Sequence, residues 1–194
     1  MLQRTDFFTG LPRRYFGAIL IDVPLHFETW SAKGEGRSAS RHYRVMTFEQ
    51  SLTLPVGDLA ADDAWIFSWL PAPFIPRIGE QMEAWNFEYS SKAFCWAKLN
   101  KKRPTPFMGG GHTTRKGSED CFLGRRGSPR RNSAGVYELI IAPVREHSRK
   151  PDEVYERIEE YCDGPYLELF ARTQRPGWTA WGDQVGMFTG AAER

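Results

Sequence analysis

The stretch Pro165-Tyr166-Leu167-Glu168-Leu169-Phe170-Ala171-Arg172 decides the fold, together with Gly177-Trp178-Thr179-Ala180-Trp181-Gly182-Asp183-Gln184 behind it. Asp163-Gly164-Pro165 punctuates its start, and the Tyr, Leu, Leu and Phe that follow read as a short buried strand over residues 165–170. Glu168 breaks the apolar run. A carboxylate inside a buried strand is costly unless something pairs with it. Two partners are open at this point. One is a ligand hydroxyl or amine at the strand's C-terminal end, where open α/β sheets bind ligands. The other is an internal ion pair with an Arg or Lys.

Outward from this strand, the pattern alternates. Residues 16–21, Phe-Gly-Ala-Ile-Leu-Ile, form an apolar run that ends in Asp22, as in a central parallel strand with an acid at its tip. Thr47 reads as the N-cap of a short helix. Further strands are expected over residues 64–70, 94–98, 121–123 and 136–142. Residues 71–85 and 151–161 have helical spacing, each with a Pro at its start. Long polar loops fill residues 28–44 and 100–117, with a basic loop at 124–135 and a polar one at 143–150. This alternation predicts an α/β fold with a mostly parallel central sheet flanked by helices. A length of 194 residues suits one domain over 1–194, with 1–14 as a flexible lead-in and 187–194 as a flexible tail.

The net charge of +2 is too small to announce a polyanion partner by itself. Its distribution says more. Lys102, Arg103, Arg115, Arg125, Arg126, Arg130 and Arg131 crowd one third of the chain, either as a solvated basic face or as a nucleic-acid contact. Three unspaced cysteines define neither a disulfide framework nor a zinc pattern, which points to a reducing cytoplasm. No signal peptide or membrane-length apolar run is visible, so no membrane partner is expected. The four histidines lack metal-ligand spacing and no metal is expected. Gly109-Gly110-Gly111 lacks the dinucleotide spacing, and neither a phosphate loop nor a serine nucleophile elbow is present. What remains is an acid at a strand tip followed by a Pro turn, Asp22-Val23-Pro24-Leu25. A carboxylate beside the carbonyl of a rigid turn suits holding an exocyclic amine.

These residues carry a resemblance over about residues 14–185. The segments 146–153, 167–172 and 177–184, with Phe27-Glu28-Thr29-Trp30-Ser31 and Arg41-His42-Tyr43, resemble the MT-A70 family of S-adenosylmethionine-dependent adenine-N6 methyltransferases, in its prophage and bacterial DNA-directed branch. The resemblance implies a Rossmann-like methyltransferase fold and S-adenosyl-L-methionine as cofactor. It also implies a nucleic-acid substrate, DNA before RNA, and a possible homodimer or partner subunit. It assigns Asp22, Val23, Pro24 and Leu25 to catalysis, and Asp22, Ser148, Lys150, Glu168, Phe170, Arg172, Asp183 and Gln184 to the cofactor. Lys150 would pair with the methionyl carboxylate, Glu168 and Arg172 would hold the ribose region, and Asp183 and Gln184 would reach the nucleoside end. Phe27, Arg41, His42 and Tyr43 join the basic residues as nucleic-acid contacts, with Leu25 or Phe27 covering the base. The family motif is Asp-Pro-Pro-Trp, so Val23 and Leu25 are departures. Two readings follow: an active adenine-N6 methyltransferase, or a catalytically impaired module that binds cofactor, nucleic acid or a partner subunit.

Overall fold

A computed structural model describes residues 7–26, 45–111, 113–146 and 148–187. Among these residues eight strands form one sheet. In chain order the elements are β1 (Phe16–Ile21), α1 (Phe48–Leu52), β2 (Ala60–Leu70), α2 (Ile78–Ala84), β3 (Glu88–Asn100), β4 (Arg103–Pro106), β5 (Ser118–Arg126), β6 (Leu139–Pro143), α3 (Glu153–Tyr161), β7 (Tyr166–Leu169) and β8 (Trp178–Trp181). Short 3-10 turns, Val56–Asp58 and Ala72–Arg77, lead into β2 and α2.

The α/β class stands, and the sheet is mixed. β1 pairs in parallel with β2 and β7, β7 with β8, and β3 with β6. β5 runs antiparallel between β2 and β3, and β4 folds back antiparallel on β3. The short apolar centre at residues 121–123 concealed a strand of nine residues, because its polar ends, Ser118-Glu119 and Arg125-Arg126, emerge at opposite margins of the sheet. Arg125 and Arg126 therefore end a strand rather than sit in a loop. β3 likewise extends well beyond residues 94–98, since its first residues face solvent and carry no apolar signal.

Strand alternation gives the sheet two faces. Ile19, Ile21, Ile66, Phe122, Leu167 and Leu169 pack against α1 and α2 through Phe48, Ile78, Met82 and Trp85. Ala18, Leu20, Phe67, Trp69, Phe94 and Ile140 pack against α3 through Val154, Tyr155 and Ile158. Thr47 caps α1 as expected: its Oγ1 accepts from the Gln50 amide while Gln50 Oε1 accepts from the Thr47 amide. The lead-in is not loose from residue 7 onward. Phe8 is buried with its ring edge-on to Trp181 at 4.8 Å, so the chain before β1 closes the β8 side of the core. Residues 1–6 and 188–194 lie outside the described residues.

Among the described residues β6 pairs only with β3, as an edge strand. Glu138 offers its carbonyl to Cys95 in β3, which turns the carbonyls of Tyr137 and Leu139 outward. Both are met by the guanidinium of Arg157, on α3. Among the described residues, no helix is long and apolar enough to cross a membrane.

Candidate active site

Asp22 follows β1 directly, and the alternation that sends Leu20 toward α3 sends Asp22 the same way. Glu168, in β7, stands opposite Leu20 in the parallel register. The two acids, distant in sequence, thus reach one face of adjacent strands near their C-terminal tips, as expected for ligand sites of such sheets. They line one narrow hollow of ≈ 40 Å³ together with Trp69, Ser148, Lys150, Tyr155, Phe170 and Arg172.

Lys150 is the hub. Its ammonium lies 2.7 Å from Asp22 Oδ2 and 3.1 Å from Glu119 Oε2, with the Trp69 ring centre 5.1 Å away. Burial pulls its pKa down, but the charges of Asp22 and then Glu119 outweigh burial and hold it above the usual lysine value. An ammonium has three donors, so one remains beyond these two carboxylates. Glu119 also pairs with Lys98. Burial opposes its ionisation, yet Lys150 and Lys98 together bring its pKa down to about 2. Lysine bonds only one oxygen of Asp22. Among the described residues, nothing bonds Oδ1.

Within the described residues the hydrogen-bond partner of Glu168 is a tyrosine rather than an Arg or Lys. Glu168 Oε1 accepts a hydrogen bond from the Tyr155 hydroxyl of α3 at 3.0 Å. Burial, the dominant cause, raises its pKa to about 7. The Tyr155 bond opposes this, the Asp22 charge adds to it, and the Lys150 and Arg172 charges oppose it. Burial, then Glu168, pushes Tyr155 above the ordinary phenol range, so it remains the donor. Tyr155 is itself held edge-on by Trp178 at 5.2 Å and faced by the Arg175 guanidinium at 5.0 Å.

Ser148 and Phe170 take left-handed backbone, with φ of 61° each, which is uncommon outside glycine and persists only where surroundings fix it. Phe170 turns the chain from β7 toward Arg172 at the rim. Its ring stands edge-on to Trp181 at 5.5 Å. Asp183 and Gln184 sit in the turn after β8 and do not line the hollow. Gly182 anchors that turn: a Cβ there would come within 2.7 Å of the Ala171 carbonyl oxygen.

At the tip turn, one expectation changes. Leu25 cannot cover a base, because its backbone bridges to Met46 and its side chain is 3% exposed within the α1–α2 core. Val23 is equally buried, and its carbonyl already accepts from the Leu25 amide at 2.8 Å. Its second lone pair remains. Phe27, Arg41, His42 and Tyr43 lie outside the described residues.

The basic residues divide into two groups. β5 begins beside the C-terminal end of β2 and finishes beside its N-terminal end, a run of roughly 25 Å at about 3.3 Å per residue. Lys102, Arg103 and Arg115 therefore belong to the end that carries Asp22, whereas Arg125, Arg126, Arg130 and Arg131 belong to the other. Arg125 is paired with Glu88 at 3.0 Å, and Arg126 donates to the Gly57 carbonyl at 2.6 Å. The antiparallel direction of β5 thus sets the expected basic contacts at opposite ends of the sheet.

Sequence reasoning missed Glu119, Trp69 and Tyr155. Trp69 and Tyr155 read as core by their spacing, which they also are. Glu119-Asp120 immediately before an apolar run was the available signal, since it repeats the acid-at-strand-end pattern of Asp22. Trp69 adds another: its Nε1 is buried and has no hydrogen-bond partner among the described residues, although buried indole donors normally find one.

The family model for MT-A70 matches residues 16–184. The chain is similar to the N(6)-adenosine-methyltransferase MT-A70-like protein of Arabidopsis thaliana, at 31% identity over 88% of this chain and 24% of that protein. It is 32% identical to the N(6)-adenosine-methyltransferase catalytic subunit METTL3 of Homo sapiens over 74% of this chain and 25% of that one. It is 27% identical to the type II methyltransferase M.MunI of a Mycoplasma species over 93% of this chain and 82% of that protein. The chain thus spans about a quarter of the length of the plant and human relatives and most of the length of the bacterial one. A match from the first strand to the turn after the last establishes that this chain belongs to the MT-A70 family.

Proposed function

We infer that the chain transfers a methyl group from S-adenosyl-L-methionine to the N6 amine of adenine in nucleic acid, with DNA as the substrate. The observation that carries this reading is the state of Asp22: one carboxylate oxygen is locked by Lys150 and the other is open on a hollow shared with Glu168. The donor set fits a nucleoside that bears an amino acid. Glu168 offers Oε2 to ribose hydroxyls while Tyr155 holds Oε1, Lys150 keeps one donor for a carboxylate, and the Trp69 N–H awaits an acceptor. Because the enclosed space is small, the cofactor would lie in a groove that is open to solvent.

When bound, the cofactor supplies a methyl group on a sulfonium, an electrophile strong enough that the amine needs no prior deprotonation. The protein's part is placement. Asp22 Oδ1 and the Val23 carbonyl accept the two amine hydrogens, which aims the nitrogen lone pair along the line of attack. Bound there, the cofactor would supply the methyl group with its sulfur as the leaving group, and Asp22 would take the proton that the methylated amine loses and pass it to solvent. A duplex adenine would first leave its stack. DNA is supported by the type II methyltransferase relative, whose length this chain nearly matches.

The second reading, a module that binds without transfer, is favoured by the burial of Leu25, which leaves position 25 without a stacking surface. Tritiated methyl transfer to adenine-containing DNA, with Asp22→Ala as the comparison, decides between them. Transfer that falls about a hundredfold or more in the variant, while calorimetric binding of S-adenosylhomocysteine persists, is the expected result. Binding without transfer in the wild type selects the module.

A further inference from the structure

A second, roomier hollow of ≈ 320 Å³ lies at the opposite end of the sheet, where β1 and β2 begin. Arg13, Arg14 and Arg126 converge on it, with Gly57, Trp85 and Asn86 among its walls. Arg126 ends β5 opposite Ala64, on the α1–α2 face. It donates Nη1 to the Gly57 carbonyl and has no carboxylate partner among the described residues. A guanidinium carries five donors, so most of its fork is left for a ligand. Arg13 meets Asp58, and Arg14 meets Asp62, each at 2.6 Å. The Arg14 pair lies at the surface, where solvent screens the attraction, so a phosphate that takes this guanidinium in a bidentate grip displaces little. Of the four acids and bases at this hollow, only Asp58 is acidic.

The walls are rigid. A Cβ on Gly57 would stand 2.3 Å from the Trp85 carbonyl oxygen, so this wall is backbone against backbone. Arg14 and Asn86 hold left-handed backbone, with φ of 51° and 63°. The remaining two described non-glycine residues of positive φ, Ser148 and Phe170, line the Asp22 hollow.

We propose that this basic hollow binds a phosphate group, gripped by Arg126 with Arg13 and Arg14, and that the phosphate belongs to a nucleic-acid backbone passing the end of the sheet remote from Asp22. Only the source of the phosphate rests on the substrate reading above. The test is fluorescence anisotropy of a labelled duplex of about 30 base pairs with the full chain, without methyl donor, across a salt series. Arg126→Gln weakens binding about tenfold and lowers the salt slope by about one. Arg125→Gln is the control. It removes the same charge one residue away, on the other face of β5 and beside Glu88, and it leaves affinity within about twofold.

Equal losses from both variants, no loss from either, or a wild-type chain that does not bind the duplex overturns the proposal. Inorganic phosphate and deoxyadenosine monophosphate, followed by thermal shift, separate the sources. Protection that Arg126 alone confers, with duplex binding insensitive to it, overturns the nucleic-acid occupant. Should Arg126→Gln fail to fold, Arg14→Gln carries the same expectation. A chain that methylates DNA without an Arg126 effect sinks this site alone, and the effect without methyl transfer sinks the proposed activity alone.

Discussion

Replacing Glu168 by Gln keeps the shape of the side chain and an oxygen for the Tyr155 hydroxyl, but removes its titration. In the folded chain the Glu168 carboxyl titrates at about 7 instead of the ordinary 4.5, chiefly because of burial. The native state therefore holds a proton that the unfolded chain gives up. Below pH 4.5 both states are protonated and the residue contributes its full stability. That stability drains away as pH rises through the folded value. The complete shift is worth about 3 kcal/mol, of which about 2 kcal/mol falls between pH of about 5.5 and about 8.5. Urea unfolding of wild type and Glu168→Gln over that range measures it. The stability difference should move in favour of the variant by about 2 kcal/mol from the acid to the alkaline limit. A difference that stays constant with pH would refute the claim that Glu168 is a buried, half-protonated acid. No cofactor enters the measurement, so its outcome is independent of the proposed activity.

Tyr155→Phe removes the bond that favours the ionised form of Glu168. The falling limb of stability should then shift upward by about one pH unit, since a hydrogen bond to a charged group is worth about 1.5 kcal/mol. An unshifted limb would show the bond to be energetically idle. Lys150→Met leaves Asp22 and Glu119 facing each other without the cation between them, and should cost about 3 kcal/mol in chemical denaturation at neutral pH. Glu119, held at about 2, contributes stability above its ordinary 4.5 that is lost as pH falls toward 2. Lys150→Met should flatten that acid limb, and an unchanged acid midpoint would count against the Lys150–Glu119 link.

Much of the fold was legible because apolar runs and proline placement speak directly: β1, β7 and α3 lie where their patterns put them, and Thr47 caps α1. The direction of β5 was not legible. Strand polarity depends on long-range pairing, and nothing in Cys121-Phe122-Leu123 records whether its neighbours run with it or against it. For the same reason nothing in the sequence shows that Arg125 and Arg126 lie at the other end of the sheet from Lys102 and Arg103. At the site, Asp22 and Glu168 announced themselves as charges at apolar strands, while Lys150, in a polar loop, was reached through the family resemblance. Tyr155 and Trp69 did not, because one polar atom on a large aromatic body is invisible to hydrophobic spacing.

The guanidinium of Arg157 on the outer carbonyls of β6 has a consequence for how copies of this chain meet. An open strand margin is a template on which another strand can add, and repeated addition is a route to aggregates. Here any newcomer would first have to evict a cation that is also tied to Glu153. Arg157→Ala should therefore leave the chain folded but make it self-associate further on concentration, as read by light scattering, since among the described residues this one side chain on a neighbouring helix meets the outer carbonyls of that margin.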